Sequence, residues 1–125
     1  MDCLIILNVP FGLTFPQLFI PKARNIICAD GGANRLFDST FKDTPSLKAI
    51  TGDLDSLKPH VKEYYSSRHI PVLQDKDQNT NDLEKAIILA MKYNFTTIAC
   101  LGVLGGRIDQ QFCNLNNLQK FGTKY

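Results

Sequence analysis

The sequence predicts an α/β fold, with an open, mainly parallel central sheet and helices on both faces in a Rossmann-like three-layer arrangement. Two patterns and one quantity predict it. Short β-branched apolar runs recur with little polar alternation, as in strands buried on both faces of a parallel sheet. Gly, Asp or Asn closes these runs and a helical pattern follows, the order expected of right-handed βαβ units. The length, 125 residues with 44% apolar and 21% charged side chains, suits one soluble domain. A chain of that size buries roughly two-thirds of its unfolded surface, enough for a real core.

The first run is Cys3 to Leu7, ending at Asn8, and a short helix is expected from Phe15 to Ile20. The second, Asn25 to Ala29, closes on Asp30-Gly31-Gly32 and leads into a helix from Gly32 through Phe37. The third, Leu47 to Ile50, closes on Gly52-Asp53. Pro59 then fits the first turn of a helix whose Val61, Tyr64 and Tyr65 share a face. A weaker fourth run, Ile70 to Leu73, precedes the polar stretch from Gln74 to Asn81. Leu83, Ala86, Ile87, Ala90 and Met91 follow at helical spacing, one stripe, with Asn81 and Glu84 as a capping pair. The fifth run, Thr97 to Leu101, ends at Gly102, and Ile108, Phe112, Leu115 and Leu118 predict a last helix.

Composition excludes several classes of function. Fourteen Lys and Arg against twelve Asp and Glu give a net charge of +2, which makes no electrostatic case for nucleic acid or an anionic membrane. No apolar stretch approaches the roughly 20 residues of a membrane span. Met1-Asp2-Cys3 lacks the basic start of a signal peptide and enters a strand pattern at once, so a cytoplasmic protein is expected. The four cysteines form no CxxC and have no His at metal spacing, and Cys3, Cys28 and Cys100 sit inside apolar runs. Neither structural zinc nor a disulfide framework is expected.

The acids are lopsided: ten are Asp, and only Glu63 and Glu84 are Glu. Asp30, Asp53, Asp55, Asp75, Asp77 and Asp82 fall in segments that follow the second, third and fourth runs, and Asp109 follows the fifth. In open α/β sheets those segments share the edge where ligands bind. Carboxylates gathered there repel one another, and a divalent cation is the usual compensation. Oxygen-only ligands favour magnesium or manganese over zinc.

Three motifs carry the chemistry. In Ile50-Thr51-Gly52-Asp53-Leu54-Asp55-Ser56, two Asp spaced by one residue can reach one ion, and Gly52 lets the backbone approach a phosphate. An Asp-rich turn with side chain-to-backbone bonds would use the same residues. Asp30-Gly31-Gly32-Ala33-Asn34 is a glycine-rich strand-to-helix turn whose bare amides suit an anion, though a tight turn needs such glycines too. Gly105-Gly106-Arg107-Ile108-Asp109 is a second such turn, in which Arg107 offers a bidentate fork to phosphate or forms a plain surface pair with Asp109. Asp82 also suits the first turn of a helix, where the dipole favours an acid. Neither GxGxxG nor GxxxxGK[ST] occurs, which argues against a dinucleotide fingerprint and excludes a P-loop. No Ser or Cys nucleophile is evident, and His60 and His69 flank an exposed-looking helix. The residues by themselves indicate a magnesium-dependent phosphate or nucleotide enzyme, without naming its substrate.

Taken together, ADGGANRLFD, GDLDS, DQNTNDLEKA and LGGRIDQ resemble thiamine pyrophosphokinase, in that order and over nearly the whole chain. The resemblance implies transfer of a pyrophosphoryl group from ATP to thiamine, giving thiamine diphosphate and AMP. It implies that Asp53, Asp55, Asp82 and Asp109 hold magnesium. It gives Arg107 a catalytic role, and places Asp30, Gly31, Gly32, Asn34, Gly52, Gly105, Gly106 and Arg107 around the nucleotide. Two departures stand out: Asn79 and Asn81 replace an Asp and a Thr of the family's acidic run, and Gln110 stands where many members carry His. Residues 1–125 then correspond to the ATP-binding catalytic domain. The family's C-terminal β-sandwich, which helps bind thiamine and forms the homodimer, is expected to lie outside them. Two other readings fit the motifs: an Asp-x-Asp magnesium phosphatase with Asp53 as nucleophile, and a non-catalytic nucleotide-binding module.

Overall fold

Strand β1 (Cys3–Ile6) is buried at every position. Alternate side chains of a strand point to opposite faces, and here both sets are apolar. Leu4 and Ile6 enter one apolar cluster, Cys3 and Ile5 another. Strand β2 (Asn25–Ala29) repeats the division, with Ile26 and Cys28 on the first face and Ile27 and Ala29 on the second. Strands of this kind need cover on both sides, and three helices provide it. This arrangement is seen in a computed structural model that describes residues 2–8, 20–77, 81–101 and 110–114.

Helices α1 (Gly32–Phe37) and α2 (Pro59–Ser67) cover the first face through Ala33, Leu36, Val61 and Tyr65. Helix α3 (Asp82–Lys92) covers the second through Ala86 and Ala90, with Leu83, Ile87 and Met91 packed beside them. Pro59 occupies the first turn of α2, where its missing N–H is no loss. Asn81 caps α3 by accepting the Glu84 N–H at 2.8 Å.

The six-stranded sheet has the order β4-β3-β2-β1-β5-β6, with β3 (Leu47–Gly52), β4 (Val72–Gln74), β5 (Thr97–Leu101) and β6 (Gln110–Asn114). Strands β1 to β5 pair in parallel, with Ile5 opposite Ile27 on one side and Cys100 on the other. The chain steps outward from β1 to β4 and then returns, through α3, to place β5 on the far side of β1. Right-handed crossovers require that reversal to move the helix to the opposite face. The crevice at the carboxyl ends of the strands, near the reversal, is where such sheets bind ligands.

The last helix expected through Phe112 is not what forms. Gln110–Asn114 is strand β6, antiparallel to β5, with Thr97 opposite Asn114 and Leu101 opposite Gln110. Only residues 102–109 separate the two strands. That is shorter than the dozen or so residues a parallel crossover needs, so the chain turns back and pairs with β5. Ile108, Leu115, Leu118 and most of the helix expected from Phe15 lie outside the described residues; Ile20–Lys22 is a short 3-10 turn. Among the described residues no helix is long and apolar enough to cross a membrane.

Candidate active site

Three segments deliver three carboxylates to one place. Asp30 directly follows β2, Asp53 directly follows β3, and Asp82 is the first residue of α3. Each offers one oxygen to a group whose members lie within 4.8 Å of one another. The backbone holds them there. The Asp30 N–H donates to the Thr51 carbonyl at 2.7 Å, tying the end of β2 to β3. Asp30 Oδ1 accepts the Ser56 N–H at 3.0 Å, and Asp53 Oδ1 accepts the Asp55 N–H at 3.1 Å. Asp30 adopts φ 48°, uncommon for a residue other than glycine, and its side chain is buried.

Gly52 allows the three to meet. It sits at φ 130°, and a Cβ there would lie 3.1 Å from Asp82 Oδ1 and 3.2 Å from Asp30 Cβ. The expected role for Gly52 was to admit a phosphate to the backbone; what approaches it here is the carboxylates. Gly32 answers a different need, because a Cβ would lie 2.1 Å from the Ile6 carbonyl oxygen, where α1 rests on the end of β1. A Cβ on Gly31 would meet the Asn8 side chain, whose Oδ1 accepts from Arg35 Nε at 3.0 Å.

Crowding shows in the titration of the group. Burial, then a hydrogen bond shared with Asp53, then the charges of Asp82 and Asp53 push the Asp30 carboxyl up to about 6, against the Ser56 N–H. Burial and the Asp53 charge raise Asp82 as well. Asp53 is lowered, first by the Asp55 N–H and then by the hydrogen bond from Asp30. The cluster thus keeps a proton between Asp30 and Asp53 more readily than separate carboxylates would. A divalent cation displaces such a proton, and an all-oxygen donor set suits magnesium.

The other residues singled out in the sequence fall into four groups. Asp55, Asp75 and Asp77 lie on the same edge but outside the trio. Asp55 is exposed and closes a turn onto Asp53, although Asp82 feels its charge. Asp75 donates its N–H to the Gly52 carbonyl at 2.7 Å and accepts from the Asp77 N–H at 3.0 Å. Asn34 has both ends of its amide engaged: Nδ2 donates to the Ser56 carbonyl at 2.7 Å and Oδ1 accepts the Lys58 N–H at 3.1 Å. It clamps the loop that carries Asp53. Gly105, Gly106, Arg107, Asp109 and Asn79 lie outside the described residues. His60 packs edge-on against Phe37 at 5.4 Å, His69 sits exposed beyond α2, and neither belongs to the carboxylate group.

Sequence reasoning missed Lys85. It is 5% exposed, lies on α3 three residues beyond Asp82, and its charge acts on both Asp53 and Asp82. A basic residue so near a helix N-terminus runs against the dipole, a signal that could have marked it.

Comparison with known proteins identifies the lineage. Residues 16–125 match the family described as "Thiamin pyrophosphokinase, catalytic domain". Thiamine pyrophosphokinase 1 of Oryza sativa subsp. japonica is 36% identical over 127 residues, covering 87% of this chain and 48% of that protein. The thiamine pyrophosphokinase of Saccharomyces cerevisiae is 33% identical over 99 residues, covering 73% and 31%. The solved structure of thiamin pyrophosphokinase from Candida albicans superposes with a TM-score of 0.60 at 31% identity, covering 74% of this chain and 32% of that one. The chain spans about half the length of the rice relatives it matches. By sequence and by fold, this chain belongs to the thiamine pyrophosphokinase family.

Proposed function

We propose that these residues form the ATP-binding, catalytic half of a magnesium-dependent thiamine pyrophosphokinase. One observation carries the reading: in a chain of this family, carboxylates from three separate segments meet within 4.8 Å at the carboxyl edge of the sheet. Asp53 and Asp82, with Asp30 beside them and Asp55 and Asp109 directly or through water, would hold the cation. Magnesium bound there would supply positive charge to offset that of the ATP phosphates. Arg107 and the amides near Gly105 and Gly106 would stabilise the charge on the transferred group, since a guanidinium fork matches phosphate oxygens. Gly52 leaves room for the carboxylates to converge, and Asn34 fixes the loop after β3.

The thiamine alcohol oxygen bonds to the β-phosphorus as that phosphorus parts from the oxygen bridging it to the α-phosphate, so the nucleotide product is AMP. Positioning and electrostatics supply most of the rate, as in phosphoryl transfer generally. Thiamine itself is held largely by a further β-sandwich outside these residues. Without it the orientation advantage, which reaches roughly 7–11 kcal/mol, is largely lost. The 125 residues alone should therefore bind magnesium–ATP while forming very little thiamine diphosphate, and a protein of its relatives' length should form it readily and release AMP. A turnover assay resolving AMP from ADP tests this, and ADP as the product would overturn the mechanism.

A further inference from the structure

Lys85 is a charged side chain buried where its charge has no direct partner. It lies in the second turn of α3, against the sheet, and is 5% exposed. Side chains on a helix lean toward its N-terminus, which carries the Lys85 stem back toward Asp82 and the carboxyl ends of the strands. Asp53 and Asp82 both feel its charge. Yet among the described residues no carboxylate oxygen lies within 4.0 Å of its Nζ, and no described carbonyl or hydroxyl accepts a hydrogen bond from it. An ammonium carries three donors and loses much by being buried with none engaged. A divalent ion held by the carboxylates offers it no acceptor. An oxygen of an anion bound to that ion does.

We propose that Lys85 donates to a phosphate oxygen of the bound polyphosphate, so that cation and anion enter the site together. The carboxylates of Asp30, Asp53 and Asp82 face the divalent ion, and the ammonium faces the oxygens the ion does not take. Lysine acts on phosphate as a point charge, so this contact selects for charge and leaves the ion to set geometry. The inference rests on the phosphate-transfer reading above and names the group that makes the site specific for anion-loaded metal. A bystander role predicts something else: Lys85 would only soften repulsion among the carboxylates, and anion binding would not depend on it.

Calorimetric titration of the 125-residue chain separates the two. The probes are magnesium alone, inorganic pyrophosphate at fixed magnesium, and a non-hydrolysable ATP analogue at fixed magnesium. Lys85→Met should weaken pyrophosphate binding by about 10- to 100-fold, the scale of one hydrogen bond to a charged group. Magnesium alone should bind Lys85→Met at least as tightly as the parent chain, because a cation beside Asp53 and Asp82 has gone. Lys85→Arg should recover most of the pyrophosphate affinity. Lys85→Gln, polar and uncharged, carries the same test should the methionine chain not fold, with thermal midpoints as the check. Unchanged pyrophosphate affinity in the folded Met or Gln chain would overturn the proposal, as would a parent chain that does not bind pyrophosphate. Lys85-dependent pyrophosphate binding with no binding of the ATP analogue would sink the nucleotide reading and leave the Lys85 contact standing.

Discussion

Two clusters of charged side chains in this protein are built on opposite rules. Beside α2, on the surface, Asp43 accepts from the Tyr64 hydroxyl and lies 3.7 Å from Arg68. The Arg68 guanidinium in turn lies over the Tyr64 ring at 4.3 Å, and Lys42 lies over Phe37 and Tyr64 at 5.2 and 5.3 Å. Charges there alternate in sign and rest on aromatic faces. At the carboxyl edge of the sheet, Asp30, Asp53 and Asp82 meet one another instead, over a glycine with positive φ and beside a lysine that reaches none of them. A cluster of the first kind is complete as it stands. One of the second kind is kept against its own repulsion, and the proposed function gives it a cation to complete it.

The sharpest way to break this comparison is to neutralise one acid in each cluster. Asp53→Asn keeps the size and the acceptor for the Asp55 N–H, and removes one of three like charges. Ligand-free stability should hold or rise, while magnesium binding falls. Turnover in a protein of its relatives' length should drop by about 10²–10³-fold, the scale for losing one preorganised electrostatic group. Asp43→Asn should do the reverse, with a small loss of stability and no change in magnesium titration. Equal effects of the two substitutions on metal binding would erase the distinction.

Gly52 tests whether the convergence itself is what matters. Gly52→Ala puts a Cβ 3.1 Å from Asp82 Oδ1 at a φ of 130°. Strain of that kind costs about 1–3 kcal/mol, so the denaturant midpoint should fall. Metal affinity should fall further than the strain accounts for, because relief comes from moving Asp82 away. An alanine chain that binds magnesium like the parent would show that the trio need not be so close.

The two clusters should also part on pH. The Asp30 carboxyl titrates at about 6 in the fold against an ordinary 3.8, so the folded state favours its protonated form. Its contribution to ligand-free stability is complete below the ordinary value and is lost as pH rises through about 6. Asp53, lowered in the fold, contributes in the other sense: its share is present above its ordinary value and lost in stronger acid. Under the proposed function magnesium binds the trio with Asp30 ionised, so its affinity should climb over the range in which ligand-free stability falls. Thermal midpoints and magnesium titrations at about pH 5 and about pH 7.5 check both slopes. Asp30→Asn should flatten the stability slope, and a slope unchanged in that variant would remove Asp30 as its source.

How much of this was legible beforehand depended on distance along the chain. Strands β1, β2, β3 and β5 were readable because both of their faces are apolar, and the α3 cap because Asn81 and Glu84 are three residues apart. Asp30, Asp53 and Asp82 were readable only as three of seven Asp sent to one edge by parallel topology. The expected metal set held Asp55 in place of Asp30, because nothing local separates the two. Strand β6 was not, since Ile108, Phe112 and Leu115 suit a helix and the short return from β5 outweighs that spacing. The clamp by Asn34 joins residues 22 and 24 positions apart, which no local pattern reveals. Lys85 beside Glu84 reads as a solvated helical face; its burial follows from how α3 crosses the sheet.

The smallest effect is expected where the charges look most elaborate. Arg68 and Asp43 are each more than half exposed at 3.7 Å, a distance and setting at which an ion pair contributes about 0–1 kcal/mol. The guanidinium over Tyr64 adds about 0.5–1 kcal/mol at an exposed site. Salt weakens both, because solvent-exposed charges are screened. Arg68→Ala should therefore lower stability by about 1 kcal/mol or less in dilute buffer, and by less still in about 1 M salt. Denaturant titrations at the two ionic strengths measure the difference. Magnesium and pyrophosphate titrations of the variant should superimpose on those of the parent chain, since Arg68 touches no member of the carboxylate trio. A shift in either titration would mean that the surface cluster communicates with the strand ends, and that the separation between the paired cluster and the unpaired one is not energetic.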